Sequence, residues 1–369
     1  MKTNFYIPTR MLSGKGCVKQ EGKRLLALGK KCLIVTGASS AKKSGAFDDV
    51  IAVLNEQCIA YTVYDQICQN PTVASCIEAG RIAANEGAQF IVGIGGGSPL
   101  DAAKAIAVIA ANPTYEQAQL YSLQWENKPL PIVAIGTTAG TGSEVTPVSV
   151  LTTPNGLKKS FRADSLFPTL SFGDPSYTLS MPDCFTRSTA ADAMAHALES
   201  YFNRTANAAS MLFAAGCVKT LIAPLSKLAK DGTESLTYDD REDIYNASIY
   251  AGMAISITGT ALPHAVGYFL SERHGVAHGT ACAIFLPTFL RHSRACMPEL
   301  AQRFYNEIGI EEDELIALLE KITPKCDAHV TKEEIAELEK RWENNGSLLK
   351  TWGEITPETV SAILEELFC

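Results

Sequence analysis

The sequence predicts an α/β domain built on a parallel sheet, followed by an all-helical domain. Three observations lead to this fold class. Short β-branched runs alternate with helical patterns in the first half, long stretches rich in Ala, Leu, Glu and Lys follow in the second half, and 369 residues suit two cores better than one. Pro175 and Pro182 interrupt the pattern, so we expect one domain over residues 1–181 and another over residues 182–369.

Four apolar runs in the first half are predicted to be buried strands, because runs that alternate with helices are typical of a parallel sheet covered on both faces. We expect strands at 32–36, 61–64, 90–94 and 131–135, with helices at 46–58, 73–86 and 100–111. In the second half we expect helices at 188–202, 208–228, 244–257, 311–322, 332–344 and 357–368. The last of these has a start signal, with Thr356 as N-cap and Pro357 at the first helical position.

Charge, hydropathy and cysteine usage exclude several function classes. The net charge is −8, from 32 basic and 40 acidic residues without a basic stripe, so we expect neither nucleic acid nor an anionic membrane as a partner. Charges, Gly or Pro interrupt each apolar run before it reaches the length of a membrane span, and no secretory signal is visible. The eleven scattered cysteines form no C-x-x-C pair, which is typical of free thiols in a cytoplasmic protein.

The sharpest local signal is a run of three glycines, Gly95–Gly97, directly after the strand predicted at 90–94. Without Cβ atoms, their backbone N–H groups can approach an anion, and the helix that follows points its positive end at the same place. We expect Ser98 as the N-cap of that helix, Pro99 at its first position and Asp101 at its third. The loop suits the pyrophosphate of a dinucleotide, and a tight turn without a ligand is an equally open interpretation.

A second loop with similar chemistry follows the strand predicted at 131–135. Residues 136–144 alternate threonine and serine hydroxyls with small residues, which supplies hydrogen-bond donors without bulk. This composition suits the ribose, phosphate or nicotinamide amide of a cofactor. A flexible surface turn is the alternative.

The loop after the first predicted strand bears on the choice of cofactor. An acid near such a strand end often holds the adenosine ribose hydroxyls of NAD. This loop begins at Gly37 and offers Ser39, Ser40 and Lys43, with no acid before Asp48. A ribose 2′-phosphate suits these groups, so we expect a preference for NADP(H); a solvated basic loop is the alternative.

Four of the six histidines fall between residues 196 and 278. Asp192 and His196 are four residues apart in a predicted helix, which puts a carboxylate and an imidazole on one helix face. His264, His274 and His278 follow in small, glycine-bordered surroundings. One carboxylate with up to three imidazoles favours Fe(II) or Zn(II) over Mg(II) or Ca(II). For any one of these histidines alone, a structural role is the more common alternative.

Five long motifs make the chain recognisable. They are GGGSPLDAAK at 95–104, TTAGTGSEVTP at 137–147, DAMAHALESY at 192–201, GTALPHAVGY at 259–268 and HGTACAIFLP at 278–287. In this order they resemble the iron-containing (group III) alcohol dehydrogenases, a family that includes butanol dehydrogenases, 1,3-propanediol dehydrogenase and lactaldehyde reductase. The resemblance implies a Rossmann-like dinucleotide-binding domain and an all-helical metal-binding domain, a fold like that of dehydroquinate synthase, with the metal in the cleft.

The resemblance also implies a set of site residues. The family's metal ligands, one aspartate and three histidines, correspond to Asp192, His196, His264 and His278. The family's cofactor contacts correspond to Gly95, Gly96, Gly97, Ser98, Asp101, Thr137, Thr138, Thr141 and Ser143, with Asn70, Lys159 and Leu179 as further candidates. Many relatives carry a proton-relay histidine where this chain has Tyr268, so the relay falls to Tyr268, to His274 or to water.

These observations predict a metal-dependent alcohol dehydrogenase or aldehyde reductase that passes a hydride between NAD(P)(H) and a small alcohol or aldehyde. Two alternatives stay open: a lyase like dehydroquinate synthase, which regenerates its NAD, and a binding protein that kept the fold. The relatives imply a homodimer or a larger homo-oligomer. The sequence leaves longer alcohols, short diols, lactaldehyde and charged aldehydes all open as substrates.

Overall fold

The structure, a computed structural model, describes residues 3–369. The described residues form two compact units, an α/β unit of residues 7–181 and a helical unit of residues 182–369 together with residues 3–6. The first residues thus lie in the helical unit, whereas the sequence analysis placed them in the first domain. The Phe5 ring packs on Phe213 with 5.5 Å between centroids, which explains their placement.

The α/β unit is built on a six-stranded sheet, and every neighbouring pair in it is parallel. Strands β6 and β7 form a separate antiparallel hairpin. The strands are β1 (Arg10–Ser13), β2 (Lys31–Thr36), β3 (Ala60–Tyr64), β4 (Phe90–Gly95), β5 (Ile132–Gly136), β6 (Val148–Thr152), β7 (Lys158–Arg162) and β8 (Leu170–Gly173). Their order across the large sheet is β1-β8-β5-β4-β2-β3.

Helices cover both faces of this sheet, as the uninterrupted apolar strand runs predict. They are α1 (Cys17–Glu21), α2 (Ser40–Lys43), α3 (Ala46–Glu56), α4 (Val73–Asn85), α5 (Gly97–Ala111) and α6 (Gln117–Ser122). Successive residues of β2 alternate between two cores: Leu33 and Val35 pack with residues of α4 and α5, whereas Cys32 and Ile34 pack with residues of α3.

The strand order creates a switch point that brings the glycine-rich and threonine-rich loops to one edge of the sheet. From β2 the chain moves to the edge strand β3 and then returns to the other side of β2 as β4. In open parallel sheets, ligands bind beyond the carboxyl ends of the strands at such a point. The loops after β2, β4 and β5, which begin at Gly37, Gly96 and Thr137, all leave the sheet at that edge.

The helical unit is organised around one long helix, α7, which contacts α8, α9 and α11. Its helices are α7 (Asp183–Tyr201), α8 (Ala208–Asp231), α9 (Tyr238–Thr258), α10 (Leu262–Arg273), α11 (His278–Ala283), α12 (Leu286–Cys296), α13 (Pro298–Ile308), α14 (Glu312–Ile322), α15 (Lys332–Trp342) and α16 (Pro357–Phe368). Ala190, Ala191, Ala193, Ala195 and Ala197 are fully buried in α7, and their small side chains let neighbouring helices approach it closely.

The predicted start of helix α5 is wrong. The helix begins at Gly97, so its N-cap is Gly96, with no side-chain cap, and Ser98, Pro99 and Asp101 are its second, third and fifth residues. The chain turns early because Gly95 has a φ of +151°, and a Cβ there would lie 2.6 Å from the ring of Pro99. The Ser98 hydroxyl oxygen instead accepts a hydrogen bond from the backbone N–H of Asn70 at 3.2 Å. By contrast, Thr356 and Pro357 begin α16 as predicted.

Several elements were not predicted, or differ in extent. Strands β1 and β8 have only four residues each, too few to show a periodic pattern. Helix α7 begins at Asp183 rather than at the predicted 188. Helix α8 is long and apolar enough, by length and composition alone, to cross a membrane. The sequence analysis expected no such segment. Half of the apolar stretch of α8 is buried inside the protein.

The close approach of α11 to α7 depends on Gly279. A Cβ at this position would overlap the carbonyl oxygen of Ser188 and lie 2.8 Å from Cβ of Asp192. We therefore expect Gly279→Ala to lower the free energy of unfolding by about 1–3 kcal/mol, the usual cost of overpacking. Denaturant unfolding of the full chain, followed by circular dichroism, measures this change.

Gly216 in α8 supplies the matched control. It is also helical, but a Cβ there would meet no atom within 4 Å. We expect Gly216→Ala to raise stability by up to about 1 kcal/mol, because alanine favours the helix. An equal response of the two variants would contradict the packing argument for Gly279.

Candidate metal centre and cofactor loops

Three helices of the helical unit bring four polar side chains to one place. The spacing in α7 puts Asp192 and His196 on the same helix face, as predicted. His264 lies in the first turn of α10, and His278 is the first residue of α11. Asp192, His196 and His264 are 2%, 5% and 1% exposed, so this polar cluster lies inside the unit.

The four side chains converge on a single carboxylate oxygen. The Nε2 atoms of His264, His278 and His196 lie 3.5, 3.8 and 3.9 Å from Oδ1 of Asp192. Ligands about 2.1 Å from one ion in a tetrahedral arrangement stand roughly 3.4 Å from one another. The observed separations are close to that value and longer than most hydrogen bonds, so this arrangement suits a shared cation.

Two buried atoms support the fit to a cation. Oδ1 of Asp192 and Nε2 of His264 are buried and have no hydrogen-bond partner among residues 3–369. Burial alone would raise the pKa of Asp192, but His196, His278 and His264 outweigh burial and hold that pKa below its ordinary value. The carboxylate is therefore ionised, and a divalent cation is the partner that an oxygen and three imidazoles favour.

The cluster is more open at His278 than elsewhere. The side chain of His278 is 30% exposed, against 7% for His196 and 2% for His264. The Tyr268 ring stacks on the His278 ring with centroids 5.5 Å apart and meets His264 edge-on at 6.3 Å. Burial raises the pKa of Tyr268 to about 12, so its hydroxyl keeps its proton at neutral pH.

His274, the other predicted relay residue, has a different environment. It lies at the C-terminal end of α10, and its Nε2 is 3.0 and 3.1 Å from the two carboxylate oxygens of Glu334 in α15. Arg273 also reaches Glu334, at 3.6 Å. Among the described residues, the compact group of potential ligand atoms around Asp192 comprises His264, His278 and Cys282 and includes neither His274 nor His196, but His196 still lies 3.9 Å from Oδ1 of Asp192. These contacts favour a structural role for His274.

Glu199 is a functional candidate that the sequence analysis missed. Its side chain is fully buried on α7, and its carboxylate contacts Nδ1 of His264 and the backbone N–H of Ala261. An acceptor at Nδ1 fixes the tautomer that leaves Nε2 free for a metal, and it raises the basicity of the imidazole. Its spacing could have revealed it, since Asp192, His196 and Glu199 recur at i, i+4 and i+7 on one helix face.

In the α/β unit, the glycine loop and the threonine loop pack directly against each other. A Cβ on Gly97 would lie 2.8 Å from Cγ2 of Thr141, and one on Gly96 would lie 3.1 Å from the side chain of Thr138. The backbone N–H of Thr137 donates to the Gly95 carbonyl at 2.9 Å, and the Thr137 hydroxyl is buried without a partner. The two loops thus form one surface around the start of α5.

A buried lysine, Lys104, links the glycine loop to the threonine loop. Nζ of Lys104, a fully buried residue, donates to Oγ of Ser143 at 2.6 Å and to the Val148 carbonyl at 2.8 Å. Asp101 accepts from the Ser143 hydroxyl at 2.7 Å and from the Val150 N–H at 3.0 Å. Burial lowers the pKa of Lys104, and Asp101 and Glu144 oppose that shift. Asp101 and Ser143 therefore hold the loops in shape, whether or not they also touch a cofactor.

The remaining predicted cofactor residues are spread over the α/β unit. Asn70 has a φ of +57° and bonds to Ser98 through its backbone N–H. Lys159 is exposed on β7, with Nζ 4.5 Å from the Tyr121 ring centroid. Leu179 is 54% exposed. None of these contacts shows a cofactor role, so the three assignments stay predictions.

The loop after β2 keeps the polar character expected for a phosphate. Gly37 follows the strand directly, and Ser39, Ser40 and Lys43 are exposed at the start and end of α2. One acid that sequence reasoning missed lies close by: Asp65, just after the neighbouring strand β3, pairs with Lys42 at 3.1 Å. Lys42 thus partly neutralises the negative charge of Asp65.

The role given to Glu199 predicts a metal-binding defect. Glu199→Gln keeps the size of the side chain but removes the charged acceptor, so we expect metal affinity to fall about 10–100-fold. Equilibrium dialysis with Fe(II) or Zn(II) measures it. Glu312→Gln is the matched control, because Glu312 is also buried and accepts from the Tyr305 hydroxyl, outside the cluster. Equal affinities in both variants would remove the role of Glu199.

Comparison with known proteins covers both units. A family model described as iron-containing alcohol dehydrogenase matches residues 8–175. A second, described as the C-terminal part of the Fe-containing alcohol dehydrogenase family, matches residues 186–368. Alcohol dehydrogenase 4 of Schizosaccharomyces pombe is 32% identical over 284 residues, which cover 76% of this chain and 66% of that protein.

Solved structures agree with this result. An iron-containing alcohol dehydrogenase of Thermotoga maritima is 35% identical, with a TM-score of 0.91 and 99% of both chains covered. Sulfoacetaldehyde reductase of Bifidobacterium kashiwanohense, solved in complex with NAD+, is 28% identical, with a TM-score of 0.88 over 100% of this chain and 99% of that one. The predicted family and fold class are confirmed. The chain belongs to the iron-containing alcohol dehydrogenase family and is an NAD(P)-dependent oxidoreductase of alcohols or aldehydes.

Proposed function

We propose that this enzyme interconverts a small aldehyde and its alcohol at a divalent metal held by Asp192, His196, His264 and His278, with NADP(H) preferred over NAD(H). The observation that carries the proposal is the convergence of three Nε2 atoms within 3.9 Å of Oδ1 of Asp192. When bound, Fe(II) or Zn(II) supplies Lewis acidity toward the substrate oxygen, and the nicotinamide carries the hydride.

The protein's own contribution begins with exclusion of water. The cluster is closed at His196 and His264 and open at His278, so a small substrate would enter beside the His278 ring. Glu199 keeps the His264 ring in one orientation, which prepares the site before substrate arrives.

Tyr268 is the proton donor that the geometry favours. Its ring stacks on His278, and its raised pKa of about 12 keeps the hydroxyl protonated at neutral pH. In aldehyde reduction the phenol would orient the substrate oxygen and pass it a proton, which water replaces. His274 is the less suitable relay because its Nε2 faces Glu334.

Cofactor preference is proposed from the loop after β2. Ser39, Ser40 and Lys43 are exposed there and offer hydroxyl and ammonium donors to a 2′-phosphate. The sulfoacetaldehyde reductase was solved with NAD+, so use of NAD(H) by this chain is the competing outcome.

Location and partners are proposed on chemical grounds. All eleven cysteines are free, which suits a reducing cytoplasm. A net charge of −8 disfavours nucleic acid and anionic membranes. We propose a homodimer or larger homo-oligomer that acts on a small-molecule alcohol or aldehyde. Short diols, longer alcohols, lactaldehyde and charged aldehydes form the panel on which to test the enzyme.

Removing one proposed ligand is expected to abolish metal retention and turnover together. We expect this for both Asp192→Ala and His278→Ala, because each removes one of the four proposed ligands. Metal analysis and aldehyde-dependent NADPH oxidation are measured on the same preparations. His292→Ala is the control, since His292 bonds to the Trp352 carbonyl away from the cluster. Normal turnover by a ligand variant that holds less metal would refute the assignment.

The cofactor proposal predicts a higher kcat/KM with NADPH than with NADH. Ser39→Asp places a negative charge beside the expected phosphate, and we expect the NADPH-to-NADH ratio to fall at least roughly tenfold, equivalent to ~1.4 kcal/mol of charge repulsion. Ser39→Asn, similar in size and uncharged, should change the ratio little. A clear NADH preference in the unmodified enzyme would remove the idea.

A further inference from the structure

Cys282 lies beside the metal centre, yet the four-ligand assignment does not use it. It lies on α11 four residues after His278, so both side chains lie on one helix face. Cys282 is fully buried, and its Sγ is 3.8 Å from Nδ1 of His278. A thiol in this position faces the ligands of the proposed site.

The sulfur belongs to a compact group of potential ligand atoms. One such atom from each of Asp192, His264, His278 and Cys282 lies within 4.8 Å of all the others. In two of these residues, Oδ1 of Asp192 and Nε2 of His264 are buried and find no hydrogen-bond partner in the part of the chain that the structure describes. The four residues therefore bring potential ligand atoms, the sulfur among them, into one small volume where a single ion can bind several of them.

Sulfur changes the chemistry of such a site. Imidazole and carboxylate ligands accept Fe(II), Mn(II) and Zn(II), whereas a thiolate adds a strong preference for thiophilic ions. We infer that Cys282 provides a second coordination set, Asp192, His264, His278 and Cys282, which strongly thiophilic cations such as Cd(II) use. As the sulfur–metal bond forms, the thiol gives its proton to solvent.

The inference rests on the proposed metal centre and extends it. Harder ions use the set that contains His196, whose ring stacks on His264 with centroids 4.6 Å apart. The two sets share Asp192, His264 and His278. The site would thus distinguish ions by exchanging one imidazole for one sulfur.

Cadmium titration of the full-length protein, freed of metal with a chelator, tests the inference. Ultraviolet absorption from sulfur-to-cadmium charge transfer reports thiolate ligation, and competition with a chelating dye gives the affinity. We expect Cys282→Ser to remove the absorbance of one thiolate and to weaken Cd(II) binding about tenfold, while Mn(II) affinity changes less than about twofold.

Cys76→Ser is the matched control. Cys76 is also fully buried, but it lies on α4 in the α/β unit, so its loss should leave both the absorbance and the affinity unchanged. Cys282→Ala repeats the test without a hydroxyl, and thermal unfolding of each metal-free variant confirms that it folds. Cadmium NMR of the unmodified protein reports sulfur in the coordination shell without any substitution.

The outcomes separate this inference from the function it extends. Cadmium binding that Asp192→Ala abolishes, but that shows no thiolate absorbance or sulfur-ligated NMR signal, overturns the role of Cys282 and leaves the metal centre standing. Binding that neither Asp192→Ala nor Cys282→Ser affects overturns both. Thiolate absorbance that vanishes in the Cys282 variants and persists in Cys76→Ser supports the second coordination set.

Discussion

The helical unit depends on one electrostatic constraint: an ionised carboxylate lies buried among imidazoles that favour its charged form, and within the described residues its Oδ1 has no close hydrogen-bond partner. Burying such a group without a partner costs several kcal/mol. The surrounding helices offset this cost only because they pack closely. Helix α7 carries a series of alanines, and α11 approaches it through Gly279. Binding of a cation would stabilise the fold as well as supply chemistry, because it matches the carboxylate.

The α/β unit also buries a charged side chain, Lys104. There the charge keeps the glycine and threonine loops in shape and takes no part in the reaction. The Lys104 ammonium draws in the Ser143 hydroxyl, while Asp101 holds the same hydroxyl from the other side. With the glycines seated against Thr138 and Thr141, this network fixes both loops before any cofactor arrives. Preorganised loops avoid the ordering cost that flexible ones incur on binding.

Residue pattern alone predicts the four central strands β2, β3, β4 and β5, the helix-covered sheet and the Asp192–His196 pair, because each depends on short-range periodicity. His264 and His278 were candidates from their surroundings, but only the family resemblance, and then the structure, separated them from His274. Ser98 was misplaced because backbone freedom at Gly95 shifts the start of the helix, an effect that side-chain statistics do not contain. Glu199 and Cys282 were missed because their importance lies in what other helices bring to them, and β1 and β8 because four residues carry no clear period.

The unequal exposure of the proposed ligands bears on how an ion would be exchanged. His196 and His264 are locked inside the unit, whereas His278 begins a helix of six residues and is 30% exposed. Residues 279–283 of α11 are buried, so local opening would start at the solvated His278 side chain. Loss of a bound ion would then begin with rotation of the His278 ring away from it, while α7 stays folded. The lifetime of a bound ion would then depend on motion of the His278 side chain rather than on global unfolding, because the rest of α11 is buried.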